Sequence, residues 1–587
     1  MKAAPTCLGR AGLAATGVSI ACTIAVAAAG PSLMEPPLPG PAGQPPWTLD
    51  LRLDPYLAVG LAAAGLAAGT LGLALTLRAT RLGWTVKPRY VLLAGVIAAV
   101  VVGATAPFGT SDFLSYAAYG RELVTGHNPY LMAPQALARL GDPVARAVQD
   151  WAGTPSVYGA LASGVFGLAS LIGGTSARLT VFVLDLLNVA AFAATGLLLD
   201  RLARRPGAAA GARLRAAVLW TCNPLLLQVL VAGSHVDGLA TVCGIGGIAV
   251  LAPVIRNGSA GSRSGLRALA AGAILGLGFA VKPTVLLIFL GLAIAVASRR
   301  PADLFANSGA MTPQTANKSG VPAAPPARAP SDPPSRLARA VSGPPPAFVR
   351  STLAGLAAGF LAVAAADVAL IGRAGVAQSL RASGMVSVGS PWRVVRTLLR
   401  VIVMSESAAD DVVRVLAVVL MVGLAGALLR PRSRDQRRPS DPPDCAIKSP
   451  ADPGPRESLA DVWAWAPFAL VLAWLVAWPY VLPWYDALGW ALLPLLPATE
   501  LDWLLLARTA GLAFGYLPAR STGITIPDGL RWMEPVVRSA LTPAVLAAVT
   551  FLLVIAVGRR AGPARPSRPG RSSRTSRPAG LADANQV

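Results

Sequence analysis

The chain has 587 residues, of which 54% are hydrophobic and only 13% are charged, and its mean hydropathy is +0.57. Soluble globular proteins carry about 25% charged residues, so this composition excludes that class and indicates an integral membrane protein. The net charge of +23 does not indicate nucleic-acid binding, because the Lys and Arg residues cluster in loops between apolar runs, where they orient membrane proteins.

Apolar runs long enough to cross a bilayer recur along most of the chain, and they predict an all-α polytopic membrane protein with about 13–14 transmembrane helices. The first run could instead be a signal peptide, since it follows Lys2 and Arg10 and ends in small residues. In either case the segment from Pro31 lies outside the cell. The predicted spans are 10–30, 56–77, 90–107, 179–199, 216–233, 237–254, 267–281, 283–298, 350–371, 411–429, 461–480, 484–498, 501–517 and 541–558.

One apolar run, 157–173, is long enough to span but would reverse the charge pattern if it did. It would place the basic loop 201–215 outside the cell, against the positive-inside rule. Non-spanning backbone at membrane depth is tolerated where protein buries it or water reaches it. We therefore predict that 157–173 forms a re-entrant or interfacial helix. The basic loops that then face the cytoplasm are 78–89, 201–215, 255–267, 299–349 and 430–460.

Two of these cytoplasmic stretches, 302–347 and 431–458, are rich in Pro, Ser, Ala and Arg and show no apolar periodicity. They cannot bury enough surface to offset the loss of chain entropy, so they are predicted to be disordered insertions. The rest of 1–558 is predicted to form one transmembrane domain, followed by a basic disordered cytoplasmic tail at 559–587 that could bind anionic lipid weakly.

With this topology, nearly all polar side chains that could perform chemistry lie at the outer ends of the spans. Asp112 opens the first large outer loop, 108–156. An ionisable residue at a bilayer boundary is costly to place, so Asp112 is a candidate functional residue, with a solvated loop acid as the alternative. Other candidates in this loop are Tyr116, Arg121, Asn128 and Tyr130.

Later outer segments add further candidates. His235 and Asp237 lie in the turn between two spans, Lys282 precedes a proline that divides an apolar stretch, and Trp484 and Tyr485 lie at another span boundary. The two aromatic residues are also typical of an interfacial belt. His235 and Asp237 have no further ligand at metal-binding spacing, so the sequence does not indicate a metal site.

The outer segment 372–410 carries five arginines, an excess that runs against the positive-inside bias. A guanidinium pairs with phosphate through a rigid, permanently charged fork. The segment therefore predicts either a site for a lipid-linked phosphate or an amphipathic helix among lipid headgroups. Its arginines are Arg373, Arg381, Arg393, Arg396 and Arg400.

The order of these pieces resembles the GT-C superfamily of polytopic glycosyltransferases, which use lipid-phosphate sugars. More narrowly, DFLSY at 112–116 and GHNPY at 126–130 are similar to the actinobacterial polyprenyl-phosphomannose-dependent alpha-1,6-mannosyltransferases that build the lipomannan and lipoarabinomannan core. The resemblance covers about 90–500, and it departs from the family at Val236 and Ala160, where Asn and Pro are usual. Its later landmarks are Asn223-Pro224, His235-Val236-Asp237, Val281-Lys282-Pro283 and Pro483-Trp484-Tyr485.

The resemblance implies a reaction at the periplasmic side of the plasma membrane. Asp112 would be the general base that takes a proton from the acceptor hydroxyl, and a single displacement would invert the mannosyl centre. The donor would be polyprenyl-phosphate-mannose, and the acceptor a mannan or phosphatidylinositol-mannoside-type glycolipid. No cofactor would be required, although a divalent metal is possible, since some relatives use one.

The resemblance also divides the remaining candidates into two roles. Four basic residues would stabilise the leaving phosphate, namely Lys282, Arg393, Arg396 and Arg121. Seven others would orient the substrates, namely His235, Asp237, Tyr116, Asn128, Tyr130, Trp484 and Tyr485.

Two other functions fit the same sequence features. One is a GT-C transferase for another lipid-linked sugar, such as arabinose or glucose, which composition does not distinguish from a mannosyltransferase. A transporter or flippase for a lipid-linked sugar also fits, but such proteins usually show internal repeats and broken helices near mid-membrane. No convincing repeat is evident and the polar residues gather at one face, so the sequence favours a transferase.

Overall fold

A computed structural model of the protein describes residues 3–205, 210–258, 261–298, 346–403, 405–430, 460–519 and 525–561. Every regular element within these ranges is a helix, which confirms the predicted all-α polytopic class. Eight helices of the described chain are long and apolar enough to cross a membrane, and four shorter apolar helices accompany them. The predicted insertion 431–458, nearly all of 302–347 and most of the predicted tail lie outside the described residues.

The helices are numbered here in chain order. The first half contains α1 Ala3–Ala29, α2 Pro55–Arg81, α3 Pro88–Ala104, α4 Asp112–Val124, α5 Pro134–Arg139, α6 Pro143–Arg146, α7 Ala160–Gly173, α8 Ala177–Ala203, α9 Ala212–Ala216, α10 Pro224–Leu226, α11 Asp237–Asn257, α12 Ser262–Phe279 and α13 Leu286–Ala297. The second half contains α14 Pro346–Ser383, α15 Pro391–Val403, α16 Glu406–Leu429, α17 Ala460–Ala477, α18 Ala487–Leu492, α19 Leu501–Gly515 and α20 Thr542–Ala561.

Two of the predicted spans are interrupted by prolines. Within 216–233 the helix breaks at Asn223, whose side-chain oxygen accepts hydrogen bonds from the backbone N–H groups of Leu225 (3.1 Å) and Leu226 (3.4 Å). Pro224 is the first helical residue after the break, where its missing N–H costs nothing. The predicted span 484–498 is likewise three short helical pieces rather than one helix.

The predicted re-entrant segment corresponds to α7. Its 14 residues rise about 21 Å, which is less than the hydrocarbon core of roughly 30 Å. Its N-terminus is held by Asp367 of α14, which accepts a hydrogen bond from the backbone N–H of Ala160 at 2.6 Å, and by the carbonyl of Ala280. This length and anchoring are consistent with a helix that does not span.

Basic residues predicted to be cytoplasmic meet at one end of the bundle. Arg215 makes a two-pronged ion pair with Asp502, at 2.8 and 2.7 Å, and Arg81 contacts the same carboxylate at 3.1 Å. These contacts bring together the C-terminal residues of α2, helix α9 and the N-terminal residues of α19. The connections α3–α4, α10–α11 and α12–α13 lie together at another end of the bundle, where Phe108 hydrogen-bonds to Ala232 and Lys282 pairs with Asp237.

Candidate functional site

A cavity of about 450 Å³ lies at the end of the bundle where these three connections meet the turn 483–486. Five of the residues selected from the sequence lie in its wall, namely Asp112, Tyr116, Lys282, Trp484 and Tyr485. They come from three separate parts of the chain. The fold therefore brings together a carboxylate, an ammonium group and an aromatic surface around one enclosed space.

Asp112 is the first residue of α4, where the helix dipole stabilises negative charge. The loop before it is fixed by two backbone hydrogen bonds. The N–H of Phe108 donates to the carbonyl of Ala232 at 2.8 Å, and the N–H of Gly109 donates to the carbonyl of Met34 at 2.8 Å. Gly109 has φ +86°, a conformation that favours glycine. Asp112 is thus held at a fixed point beside the α10–α11 connection.

The surroundings of Asp112 make it a weaker acid than usual. Burial, followed by the nearby charge of Asp150, raises the pKa of Asp112 to about 7, while the ammonium group of Lys282 opposes that rise. Asp150 is itself fixed by a hydrogen bond of 2.7 Å from the Ser111 hydroxyl. A carboxylate whose pKa lies near neutral pH is well suited to accept a proton from a substrate hydroxyl.

Lys282 lies in an extended segment between α12 and α13, with φ −150° and ψ 126°, because the following Pro283 disfavours helical geometry. Its Nζ lies 2.6 Å from Oδ1 of Asp237 and 3.8 Å from the centre of the Tyr485 ring. The second oxygen of Asp237 has no hydrogen-bond partner among the described residues. The ammonium group is therefore held in the cavity wall by a carboxylate and an aromatic face.

His235 lies behind Asp112, with its Nδ1 atom 3.8 Å from Oδ2 of that residue. Its ring stacks on Trp484 at a centroid distance of 3.5 Å. Burial and the charge of Lys282 lower the pKa of His235 well below its usual range, so the ring is neutral. Within the described chain neither ring nitrogen has a hydrogen-bond partner. An unpaired, buried imidazole beside a carboxylate can bind a hydroxyl group.

The backbone around His235 is specialised for this placement. Ser234 adopts φ +50°, an uncommon conformation for a residue other than glycine. A Cβ at Gly233 would lie 2.7 Å from Cδ2 of His235, so only glycine allows the ring this position. Backbone of this kind is typical of functional sites.

Tyr116 also lines the cavity. Its ring stacks on Phe166 of α7 at 5.0 Å, and its hydroxyl accepts a hydrogen bond of 3.3 Å from the hydroxyl of Tyr158. The re-entrant segment thus supports the cavity through aromatic contacts.

Several aromatic residues of the cavity wall were missed by the sequence reasoning. Tyr158 and Trp151 both line the cavity, and Trp151 has φ +65°. A bulky residue in this region of φ is strained and needs a reason. Tyr158 carried a sequence signal, since it opens the re-entrant segment, whereas only the position of Trp151 in the outer loop could have pointed to it.

Of the predicted site residues in the outer loop, three lie outside the cavity wall. The side chain of Asn128 accepts a hydrogen bond of 2.9 Å from the N–H of Tyr130, which closes a turn. The hydroxyl of Tyr130 lies 2.8 Å from that of Ser163, and Arg121 pairs with Asp142 at 2.6 Å. These contacts stabilise the outer loop, and the structure does not bring the three side chains to Asp112.

Two of the predicted arginines of 372–410, Arg381 and Arg396, line a second cavity of about 570 Å³. Arg396 lines this cavity and donates a hydrogen bond of 2.9 Å to Asp410. Arg393, one turn earlier on α15, is exposed and lines neither cavity. Among the predicted cations only Lys282 shares a cavity with Asp112, as far as the described residues show.

No group of three or more His, Cys, Asp or Glu side chains in the described ranges is arranged to hold a metal ion.

Residues 14–298 match a family model described as "Alpha-(1->6)-mannopyranosyltransferase, N-terminal domain". The matched segment contains Asp112, His235, Asp237 and Lys282, and it ends before Trp484. No curated protein and no solved structure matches the chain.

Proposed function

We propose that the chain, whose residues 14–298 match the alpha-(1->6)-mannopyranosyltransferase family model, transfers mannose from polyprenyl-phosphate-mannose to a growing alpha-1,6-mannan. Its apolar helices are those of a multi-pass membrane protein. In this proposal the acceptor is a cell-envelope glycolipid of the lipomannan type, and the reaction takes place at the extracytoplasmic side of the plasma membrane. The observation that carries the proposal is the placement of Asp112 and Lys282 in one cavity.

Asp112 is the general base in this scheme. The acceptor oxygen attacks the anomeric carbon of a beta-linked mannosyl phosphate, and the proton of that hydroxyl passes to the Asp112 carboxylate. The bond between the anomeric carbon and the phosphate oxygen breaks, and its electron pair leaves with the phosphate. The product is an alpha linkage. A positioned base of this kind contributes about 10²–10⁴-fold to the rate.

Lys282 stabilises the departing lipid phosphate. A preorganised charge inside an enclosed site is worth more than the same charge in water. Arg396 lines the neighbouring cavity, and Arg393 and Arg121 line neither cavity, so we do not extend the donor-phosphate role to these three arginines. No cofactor is required in this scheme, because one ammonium group can meet the single leaving phosphate. Mannosyl transfer that is unchanged after treatment with a metal chelator would agree with a reaction that needs no metal cofactor.

The rest of the cavity wall fits a prenyl-linked sugar. Leu286 and Leu287 of α13, Met421 of α16 and Trp474 of α17 form an apolar side that suits the prenyl chain. The polar and aromatic residues near Asp112 orient the sugar hydroxyls and pack against its ring. These orienting residues are Tyr116, Trp484 and Tyr485 in the wall, together with His235, which stacks on Trp484, and Asp237, which pairs with Lys282.

The decisive experiment is Asp112→Asn in the purified full chain, with polyprenyl-phosphate-mannose and a short alpha-1,6-mannan acceptor. Loss of the base should lower kcat by about 10²-fold or more. Glu122→Gln is the matched control, because this second buried acid of α4 does not line the cavity. Transfer by Asp112→Asn within a few-fold of the parent would remove Asp112 as the base.

The same assay separates the alternative functions. Transfer in detergent requires no sealed bilayer, whereas transport does, so product formation excludes a pure flippase. Competition between prenyl-phosphate-linked mannose, arabinose and glucose identifies the donor sugar.

A further inference from the structure

The second cavity differs from the first in charge. Four arginines line it, and Asp410 is its single lining acid. Arg396 pairs with Asp410, whereas Arg381 makes no ion pair with any described residue and is exposed to solvent. Arg414 contacts Asp411, which lies outside the cavity wall. We call this space the arginine cavity, and its wall carries an excess of positive charge.

The fourth arginine is part of a rigid wall. Arg538 is buried, donates a hydrogen bond of 2.6 Å from Nε to the carbonyl of Gly515, and lies over the ring of Tyr516. Arg414 approaches Gly384 so closely that a Cβ there would lie 2.6 Å from its Nη2 atom. Arg538 is therefore held by the fold, whereas Arg414 is exposed and lies against Gly384 and Asp411.

The loop 384–389, which forms one side of the arginine cavity, is also fixed. The backbone N–H of Ser387 donates to the carbonyl of Pro479 at 3.2 Å. The Ser387 hydroxyl bridges to Val481, donating to its carbonyl and accepting from its N–H, both at 2.9 Å. The loop is thus tied to the segment that leads to Trp484 and Tyr485, so the two cavities share a common frame.

Four residues line both cavities, namely the aromatic residues Trp151 and Tyr480 together with Met385 and Leu482. Flat aromatic faces pack well against the apolar face of a sugar ring. A transferase must hold two substrates, and the apolar side of the first cavity suits the prenyl chain of the donor. The arginine cavity is left for the acceptor, whose sugar reaches Asp112 past the shared aromatic wall.

We propose that the arginine cavity binds the phosphodiester of an anionic acceptor lipid. A guanidinium recognises phosphate through paired, charge-assisted hydrogen bonds, and Arg381 is available for this without breaking an ion pair. Because the cavities are adjacent, only a short sugar chain can separate that phosphate from the hydroxyl attacked near Asp112. The protein therefore favours short, lipid-proximal acceptors over long mannan chains. This inference rests on the proposed mannosyl transfer.

The test compares two acceptors with identical sugars, a phosphatidylinositol-linked mannoside and the neutral octyl mannoside, using the full chain in nanodiscs of zwitterionic lipid. The parent protein should show a kcat/KM at least about tenfold higher for the phosphate-bearing acceptor. Arg381→Gln and Arg414→Gln should each remove much of that preference, with the kcat/KM of octyl mannoside and the KM of the donor unchanged. Arg373→Gln is the control, because Arg373 is exposed on the same outer segment and lines neither cavity.

Three results would overturn the inference while leaving the proposed transfer intact. The first is equal use of the two acceptors, and the second is an equal loss on both acceptors in the arginine variants. The third is a change in octyl mannoside transfer on addition of phosphatidylglycerol that the Arg381→Gln substitution abolishes. Bulk lipid would then occupy the arginine cavity. Absence of mannosyl transfer to either acceptor would instead overturn the proposed function, and this inference with it.

Discussion

The imidazole Nδ1 of His235 and the carboxylate Oδ2 of Asp112 lie 3.8 Å apart, although they belong to different connections of the bundle. The hydrogen bond between the N–H of Phe108 and the carbonyl of Ala232 joins these two connections directly. The base and the neutral ring beside it are consequently positioned as one unit.

We predict that mannosyl transfer depends on pH through Asp112. Only the carboxylate form can accept a proton, and burial raises the pKa of Asp112 to about 7. Activity should therefore be high above pH 7 and fall as the pH drops through that value. The measurement is a profile of kcat/KM against pH, which reports the ionisation of the free enzyme. A flat profile between pH 5.5 and 8.5 would contradict it.

The charges near Asp112 should move this profile in opposite directions. The ammonium group of Lys282 favours the ionised carboxylate, so Lys282→Met should shift the profile to higher pH. Asp150 disfavours ionisation, so Asp150→Asn should shift it to lower pH. Lys282→Met should also lower kcat at its own optimum, because the leaving phosphate loses its cation. Shifts of the same sign in both variants would contradict this electrostatic arrangement.

His235→Phe should lower kcat/KM by about 10–100-fold, as expected for the loss of a hydrogen bond near a charged group. Phenylalanine can still stack on Trp484, so the thermal unfolding temperature should change little. The comparison of kcat/KM with Tm separates the loss of a polar contact from a loss of packing. If the fall in Tm were large enough to explain the lost activity, the role of His235 would be purely structural.

Gly233→Ala should reduce activity through geometry alone. The added Cβ would lie 2.7 Å from the ring of His235 and 2.7 Å from the carbonyl of Val229, so the ring must move away from Asp112. We expect a loss of at least about tenfold in kcat, since small misplacements of catalytic groups are costly. Gly164→Ala on α7, where an added methyl group meets no atom within 4 Å, is the control and should retain full activity.

The buried pair of Asp486 and Arg508 should matter most for stability. Both side chains are almost completely buried, and Asp486 also accepts a hydrogen bond of 2.6 Å from Thr509. Asp486→Asn leaves the guanidinium without its counter-charge, at a cost of about 3–5 kcal/mol. Thr509→Val removes a neutral hydroxyl that donates to Asp486 and accepts a hydrogen bond of 2.9 Å from the Trp490 indole N–H, and it should cost about 1–3 kcal/mol. Thermal unfolding in detergent would measure both, and equal losses would contradict this ranking.

The helical spans could be predicted from the sequence because crossing a membrane is a local property of apolar length and flanking charge. The segment 237–254 illustrates this, since it corresponds closely to α11, Asp237–Asn257. The interruption at Asn223-Pro224 was harder to predict. The flanking residues are apolar enough to suggest one continuous helix, and only the proline and the asparagine cap mark the break.

The site could be predicted in part. Its acid and lysine stood out because charged residues are rare beside the apolar spans, and the structure brings Asp112 and Lys282 into one cavity. The pairing of Lys282 with Asp237 depends on how α11 packs against α12, which no local pattern encodes. Arg121 was equally prominent in the sequence, yet the fold turns it toward Asp142. Short motifs reveal which residues are unusual, whereas helix packing decides which of them meet.

The kink of α14 at Gly372, where φ is +63°, directs the remaining turns of that helix across the outer end of the bundle. Consecutive residues of this segment then face different spaces, because Leu380 lines the first cavity and Arg381 lines the arginine cavity. A small rotation of this part of α14 about its own axis would change the shape of both cavities at once. Binding of a substrate in one cavity would thereby affect the other cavity mechanically.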